Sequence, residues 1–527
     1  MERYFNTAGP CVPGKHYMIP ALARLPDVSR LVDREQSFVI HAARQSGKTT
    51  ALMALVAEIN SKGEKRAVYF TLEAAQRYPR PQEGIPRIVA AMRSGLLHHR
   101  VFGTWARNLK TLETPTGTFV SDLGVKDSLS SLAAASDRPL VVFFDEVDCL
   151  SDDTLVTFLR ELRDGIVSAR AIDPDSQFPF PVSVALVGMR DVRDYLARIR
   201  PDSESLGTAS PFNVKTKSLG LANFTEAEVA ALYAQHTGET GQVFEPDAIA
   251  HAWALTRGQP WLVNALAAKC VDDLLAGDCS KPVTKALVEE AKEALVRERG
   301  THVDSLMERL KEPRVRRVVE PVILGLDRGA PRNGDDYRYA LDLGLLREDN
   351  GALLPGNPMY AEILLRYLSF DEQEHFKLQY RTPFWIKADG SLDMPALMAE
   401  FQRFWRENSG ADREVYGYRE ATPHLVMNAF LQRVVNGGGH IAREMALGSD
   451  RLDLCVEYNG HRYAVELKMK RQFSKDSYAQ LAGYLDVLGL AEGWMAVFDS
   501  DPAKSWEEKI YNRDETFGGK TLHIVGL

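Results

Sequence analysis

The stretch Arg451-Leu-Asp453-Leu-Cys-Val-Glu-Tyr458, Asn459-Gly460, His461-Arg-Tyr-Ala-Val-Glu466-Leu-Lys468 places two acids and a lysine where they can act together. Two runs alternating with a period of two flank Asn-Gly, a dipeptide suited to a type I′ hairpin turn. If Asn459-Gly460 is the whole loop, Tyr458 pairs with His461 and the register sets Asp453 opposite Glu466. Leu452, Leu454, Val456, Tyr463, Val465 and Leu467 then share one face, expected to be core. The other face carries Asp453, Glu466 and, two residues on, Lys468. Directly opposed Cβ atoms lie about 5 Å apart, and like charges there destabilise a sheet. A hairpin shaped only for stability would avoid this pair. A divalent cation reverses the sign, because two carboxylates are good hard ligands for Mg²⁺. Lys468 would then stabilise negative charge building on a phosphate, or help position attacking water.

A second set of residues lies far upstream. Ala42-Ala43-Arg44-Gln45-Ser46-Gly47-Lys48-Thr49-Thr50 follows the apolar run Ser37–His41 and opens an Ala/Leu-rich helix. A loop in that context wraps phosphates with backbone N–H groups at a helix N-terminus. Lys48 would neutralise β and γ phosphates, and Thr49 would ligate Mg²⁺ through its hydroxyl. Ala42 stands where such loops usually begin with Gly, which is tolerable if its φ stays negative. Val141-Val-Phe-Phe144-Asp145-Glu146 is an apolar run ending in two acids, at the end of a strand where ligands collect in parallel sheets. Asp145 would hold Mg²⁺ through water, and Glu146 would orient and polarise the attacking water. ATP and Mg²⁺ are the expected cofactors.

The elements that must position these residues change character along the chain. Ser37–His41, Ala67–Leu72, Pro139–Phe144 and Val182–Val187 read as buried strands separated by helical stretches, which predicts a parallel sheet covered on both faces. Thr225 followed by Glu228 has capping-box spacing. Further helices are expected over Pro246–Leu255 and from Pro260 onward. The region from Lys281 to Leu368 reads as mostly helical with a small hairpin between Gly344 and Leu354, suggesting a winged helix. Phe401-Gln-Arg-Phe-Trp405 belongs to a helical connector. Thr422 and Pro423 look like the N-cap and first residue of a helix to about Val435, with Glu420 just before it. Gln480 and Tyr484 share one helix face, and Leu481, Leu485 and Leu488 share the buried one. Gly493–Phe498 is a final strand. Lys468, Lys470, Arg471 and Lys475 form a basic cluster beside the acids, suited to phosphate contacts.

In its first half the chain resembles the AAA-like, signal-transduction-type P-loop ATPases that carry a catalytic Glu beside the Walker B Asp. That resemblance covers about residues 15–280. It implies that Arg190, in Gly188-Met-Arg190-Asp191, is a sensor of the γ-phosphate and that Pro260, in Gly258-Gln-Pro260-Trp261, packs against the base. It also implies that His16–Pro20 covers the adenine. Residues 411–527 resemble the PD-(D/E)XK nucleases, with Asp453, Glu466 and Lys468 as Asp…ExK and Gln480 with Tyr484 facing the site. Glu420 would supply that family's first acid, with Glu444 as a rival. The expected architecture is an α/β multidomain chain: a P-loop NTPase core (1–222), a helical lid (223–280), a winged-helix-like domain (281–370), a helical connector (371–410) and a restriction-endonuclease-like domain (411–527). Expected activities are ATP hydrolysis and Mg²⁺-dependent cleavage of nucleic acid, DNA first, in a possible defence role. A nucleotide-switched DNA-binding regulator that does not cut is the alternative, and homo-oligomerisation is compatible with either.

The composition fits this reading. The chain has 527 residues, 45% hydrophobic and 26% charged, which disfavours disorder and fibrous folds. Five cysteines without CxxC spacing argue against a disulfide framework or a zinc site. No apolar run approaches the ~20 residues of a membrane helix, and Met1-Glu2-Arg3 does not open a signal peptide. A soluble cytoplasmic protein is expected. The net charge of −8 excludes a generally basic nucleic-acid coat but leaves room for a local basic groove.

Overall fold

The structure is a computed structural model. It describes residues 3–20, 24–109, 112–113, 119–120, 124–170, 177–189, 217–298, 301–323, 334–349, 351–368, 385–408, 427, 430–431, 439–447, 450–499, 501 and 503–527. The chain divides into two compact units. One comprises Met1–Asp304, Asn333–Asn350 and Gly356–Met359; the other comprises Ser305–Arg332, Gly351–Pro355 and Tyr360–Leu527.

The first unit is built on five strands, β1 (Phe38–His41), β2 (Arg66–Thr71), β3 (Leu140–Asp145), β4 (Ser183–Gly188) and β5 (Lys217–Gly220). They form one parallel sheet in the order β2-β3-β4-β1-β5. Four were expected from apolar runs. β5 was missed because only Leu219 of its four residues is buried, so no run marks it. The continuous apolar runs arise because both faces are covered. Val39, Val68, Phe70, Val142, Phe144 and Leu186 pack on one side, while Phe38, Ile40, Val141, Phe143 and Val187 pack on the other. Helix α1 (Lys48–Lys62) follows β1 directly. β1 and β3 both run parallel to the β4 that lies between them, so the turn after β1 and the acids Asp145 and Glu146 at the end of β3 leave the same end of the sheet. The result is the parallel sheet covered on both faces that the apolar runs predict.

Beyond the sheet, α2 (Glu226–Thr240), α3 (Pro246–Thr256) and α4 (Pro260–Ala268) form as the caps predicted. The box at α2 is closed in both directions: Thr225 N–H donates to Glu228 Oε2 at 2.7 Å, and Glu228 N–H donates to Thr225 Oγ1 at 3.2 Å. α3 ends on Arg257 and Gly258, both at positive φ (46° and 70°). A Cβ on Gly258 would stand 1.8 Å from the Phe224 carbonyl oxygen, so only glycine fits.

In the second unit a six-stranded mixed sheet contains β6 (Gly439–Leu447), β7 (Asp450–Tyr458), β8 (His461–Met469), β9 (Glu492–Phe498), β10 (Asn512–Phe517) and β11 (Lys520–Gly526). Its order is β6-β7-β8-β9-β11-β10. The neighbours β8–β9 and β9–β11 are parallel; the other pairs are antiparallel. Helix α5 (Met394–Asn408) contributes Leu397, Phe401 and Phe404 to one face of this sheet. Helix α6 (Lys475–Leu488) contributes Leu481, Tyr484 and Leu485 to the other. Leu346–Asp349, which belongs to the first unit, and Ala352–Pro355, which belongs to the second, are short strands where the sequence pattern places them. The helix expected from Thr422 lies mostly outside the described residues. No helix among the described residues is long and apolar enough to cross a membrane.

Candidate functional sites

The loop between β1 and α1 turns through two left-handed residues, Gln45 (φ 56°) and Gly47 (φ 85°), whereas Ala42 keeps a negative φ. Ala42 therefore serves where Gly is usual, because the loop places its left-handed turns later. Lys48 is buried and donates from Nζ to the carbonyls of Ala42 (2.8 Å) and Ala43 (3.0 Å), inside the loop's curve. Burial lowers the affinity of its ammonium for the proton, opposed by the charges of Asp148, Glu146 and Asp145. Arg44 and Gln45 are exposed on the loop, and Ser46 is buried with its hydroxyl on the Ala43 carbonyl (2.8 Å).

Thr49 Oγ1 donates to Asp145 Oδ2 at 2.9 Å. A hydroxyl and a carboxylate oxygen thus meet at the mouth of the loop, a donor set that fits Mg²⁺ beside a nucleotide. Glu146 follows at φ 59°, a left-handed conformation uncommon for a non-glycine residue. Burial, with Asp148 and Asp145 nearby, raises its carboxyl above the ordinary glutamate range. Thr50 is engaged differently: its hydroxyl accepts the Cys11 N–H at 3.0 Å, tying the N-terminal segment to α1. His16 lies in that segment, where its Nδ1 accepts the Val12 N–H at 2.8 Å.

Three residues around this loop were not foreseen. Tyr69 donates its hydroxyl to Asp145 Oδ2 at 3.0 Å. Asp148 Oδ1 accepts the Met189 N–H at 3.1 Å, holding the end of β4. Gln259, buried just before Pro260, accepts the Leu262 N–H on Oε1 (2.6 Å) and donates from Nε2 to the Gln45 carbonyl (3.3 Å). The glutamine in Gly258-Gln-Pro260 was a readable signal for that link. Tyr69 was not readable, since only the parallel pairing of β2 with β3 brings it to Asp145. Pro260 is buried in the first turn of α4. Arg190 lies outside the described residues.

In the second unit the hairpin forms with Asn459 (φ 46°) and Gly460 (φ 81°) as its two-residue turn. The ladder runs from Tyr458↔His461 to Leu454↔Val465, the expected register. At the acids the backbone bonds are replaced by side chains. Asp453 N–H donates to Glu466 Oε2 at 3.3 Å, and Leu467 N–H donates to Asp453 Oδ2 at 2.8 Å. The two carboxylates are therefore clasped between the strands rather than projecting side by side. The same change turns Leu452 to the α6 side of the sheet, although alternation predicted it beside Leu454.

Glu466 is 1% exposed, and burial together with the neighbouring Asp453 charge raises its carboxyl to about 7, against the pull of Lys468. Lys468 Nζ sits 2.8 Å from Glu466 Oε1 and donates to Gln480 Oε1 at 3.1 Å; Gln480 Nε2 donates to the Tyr484 hydroxyl at 2.7 Å. The expected Gln–Tyr pair on α6 thus faces the lysine. A buried carboxylate whose affinity for the proton is raised, next to a second acid, is a fitting pair of oxygen ligands for a divalent cation, which would compete with the proton. Among the described residues no group of three or more His, Cys, Asp or Glu side chains gathers as a metal cluster. Glu420 lies outside the described residues. Glu444 lies on β6, where the flanking pairs Arg443↔Leu454 and Met445↔Leu452 put its backbone position across from Asp453.

No protein-family model and no curated protein matches the chain. Among solved structures it is similar to a Walker-type ATPase of Pyrococcus abyssi, at 13% identity and a TM-score of 0.46, over 68% of this chain and 99% of that one. It is similar to the ORC2 protein of Aeropyrum pernix, at 14% identity and a TM-score of 0.37, over 67% and 93%. It is also similar to the RuvB Holliday junction branch migration motor of Thermotoga maritima, at 14% identity and a TM-score of 0.32, over 68% and 94%.

Proposed function

We propose that this chain is a nucleotide-regulated nuclease: an ATP-hydrolysing unit coupled to a metal-dependent phosphodiesterase that acts on nucleic acid, with DNA as the first candidate. The observation that carries the reading is the clasp of Asp453 and Glu466, with Lys468 within 2.8 Å of Glu466. Removing two acids from water beside one another costs stability, and a cation between them is the arrangement that recovers it.

In the nucleotide site, the loop Ala43–Thr50 holds the phosphates, Lys48 balances their charge, and Glu146 orients the attacking water. Pro260 packs on the base, and Arg190 reports the γ-phosphate. Thr49 and Asp145 would hold Mg²⁺ there; Asp453 and Glu466 would hold it in the phosphodiester site, with Glu420 or Glu444 as a further acid. Bound Mg²⁺ supplies Lewis-acid stabilisation of phosphate oxygens. Lys468, kept in place by Gln480, neutralises charge that develops on the phosphate undergoing cleavage. The division at residues 222, 280, 370 and 410, the winged helix, homo-oligomerisation, a cytoplasmic setting and defence against foreign DNA belong to the same proposal.

The test is cleavage of plasmid and single-stranded DNA with Mg²⁺ or Mn²⁺, with and without ATP, by wild type, Asp453→Ala and Lys468→Ala. Cutting by wild type that both variants lose supports the reading. Absence of cutting in every nucleotide condition sinks it and favours the second reading, a nucleotide-switched DNA-binding regulator. The direct Lys468–Glu466 ion pair is what favours that second reading, since it neutralises one acid without any metal.

A further inference from the structure

Next to the acid pair, two exposed cations and three half-buried aromatic rings come together from three separate elements. Lys470 begins the short 3-10 turn Lys470–Gln472 that leaves β8, two residues after Lys468. Phe473 follows that turn. Tyr478 lies on α6, two positions before Gln480, the residue that holds Lys468. Tyr511 immediately precedes β10 and Arg513 is its second residue; β10 is an edge strand of the sheet. Lys470 Nζ stands 5.3 Å from the Phe473 ring centre and 5.6 Å from that of Tyr511. The Arg513 guanidinium stands 5.9 Å and 5.8 Å from the same two rings. Arg513 Nη2 also donates to the Tyr478 hydroxyl at 2.6 Å, and Phe473 meets Tyr478 edge-on at 5.5 Å.

We infer that this cation–aromatic ridge of Lys470, Phe473, Tyr478, Tyr511 and Arg513 binds an unpaired nucleic-acid strand and leads it to the Asp453–Glu466 pair. The inference rests on the nuclease reading for the identity of the neighbouring site. Three physical points support it. First, rings fix the two cations in place, so less side-chain entropy is lost when phosphates arrive. Both cations remain exposed, and the nearest acid to Arg513, Glu515, is 3.5 Å away with its own side chain open to solvent. Second, positive charge collected here stands against a chain of net charge −8, so the attraction is local. Third, alternating rings and cations suit single strands: bases offer π-faces to rings and guanidinium planes, while phosphates take the ammonium and guanidinium charges. A duplex hides its base faces and would use only the charges.

The experiment measures anisotropy of a labelled single-stranded oligonucleotide with the full chain carrying Glu466→Gln, which prevents cutting. Lys470→Ala/Arg513→Ala is expected to weaken binding at least tenfold and to reduce the slope of log affinity against log salt by about 1.4, the value for two lost phosphate contacts on a single strand. Lys470→Arg/Arg513→Lys, which keeps both charges, is expected to retain the slope; this guards against a simple folding defect. Unchanged affinity and slope in the double alanine variant would overturn the inference. So would displacement of the oligonucleotide at equal concentration by duplex DNA, or by polyglutamate, an acidic polymer without bases. Cutting of both plasmid and single-stranded DNA by wild type is measured in parallel. Ridge-dependent binding without cutting removes the nuclease reading and keeps the surface; cutting with ridge-independent binding does the reverse.

Discussion

Replacing Glu466 by Gln should stabilise the metal-free protein at neutral pH, the opposite of what removing a buried, ion-paired side chain usually does. Burial first, and the charge of Asp453 second, raise the carboxyl from an ordinary 4.5 to about 7. A difference of roughly 2.5 pK units corresponds to about 3 kcal/mol. The folded state holds this proton where the unfolded chain has released it. Stability from this group is therefore fully present below about pH 4.5 and is lost as pH rises through about 7. Glu466→Gln keeps the size of the side chain and cannot ionise. Denaturant titrations of wild type and variant from pH 4 to pH 8 should show little difference at the acid end and a variant advantage approaching about 3 kcal/mol at the alkaline end. A metal that occupies the pair competes with the proton, so calorimetry at pH 7 in two buffers of different ionisation enthalpy should detect net proton release on Mn²⁺ binding. A variant less stable than wild type at pH 8, or metal binding with no proton released at pH 7, would refute the account of the acid pair.

The remaining predictions concern the first unit. Lys48→Ala should abolish nucleotide binding, whereas Glu146→Gln should bind ATP normally and lose hydrolysis; normal turnover by Glu146→Gln would reassign the base. Tyr69→Phe removes one hydrogen bond to Asp145 Oδ2 and should lower ATP turnover about five- to tenfold, the equivalent of roughly 1–1.4 kcal/mol, with nucleotide affinity read by titration. Gly258→Ala combines a positive φ with a clash against the Phe224 carbonyl and should destabilise the α3–α4 junction by more than about 2 kcal/mol, visible as lost amide protection over residues 224–262. Thr225→Ala should cost about 1 kcal/mol in the same measurement by opening the capping box.

Much of this protein was fixed by local chemistry that a sequence displays. The apolar runs of β1 to β4, the Gly-Lys-Thr opening of α1, the box at Thr225 and the Asn459-Gly460 turn each act over a few residues, and each appears where the sequence places it. The register from Tyr458↔His461 to Leu454↔Val465, which delivers Asp453 to the neighbourhood of Glu466, also follows from a two-residue loop. Tertiary structure alone decided the rest. β5 carries too little apolar pattern to announce itself and exists because β1 offers it an unpaired edge. Tyr69 and Gln259 reach the phosphate-binding loop only through strand pairing and helix packing across long sequence separations. The clasp at Asp453 could not be read either: alternation sets which residues face each other, but burial and the competing backbone donors turned the two carboxylates inward between the strands and sent Leu452 to the opposite face. The ridge at Lys470 and Arg513 has the same origin, since only the order of the mixed sheet and the seating of α6 bring residues 470, 478 and 513 to one place.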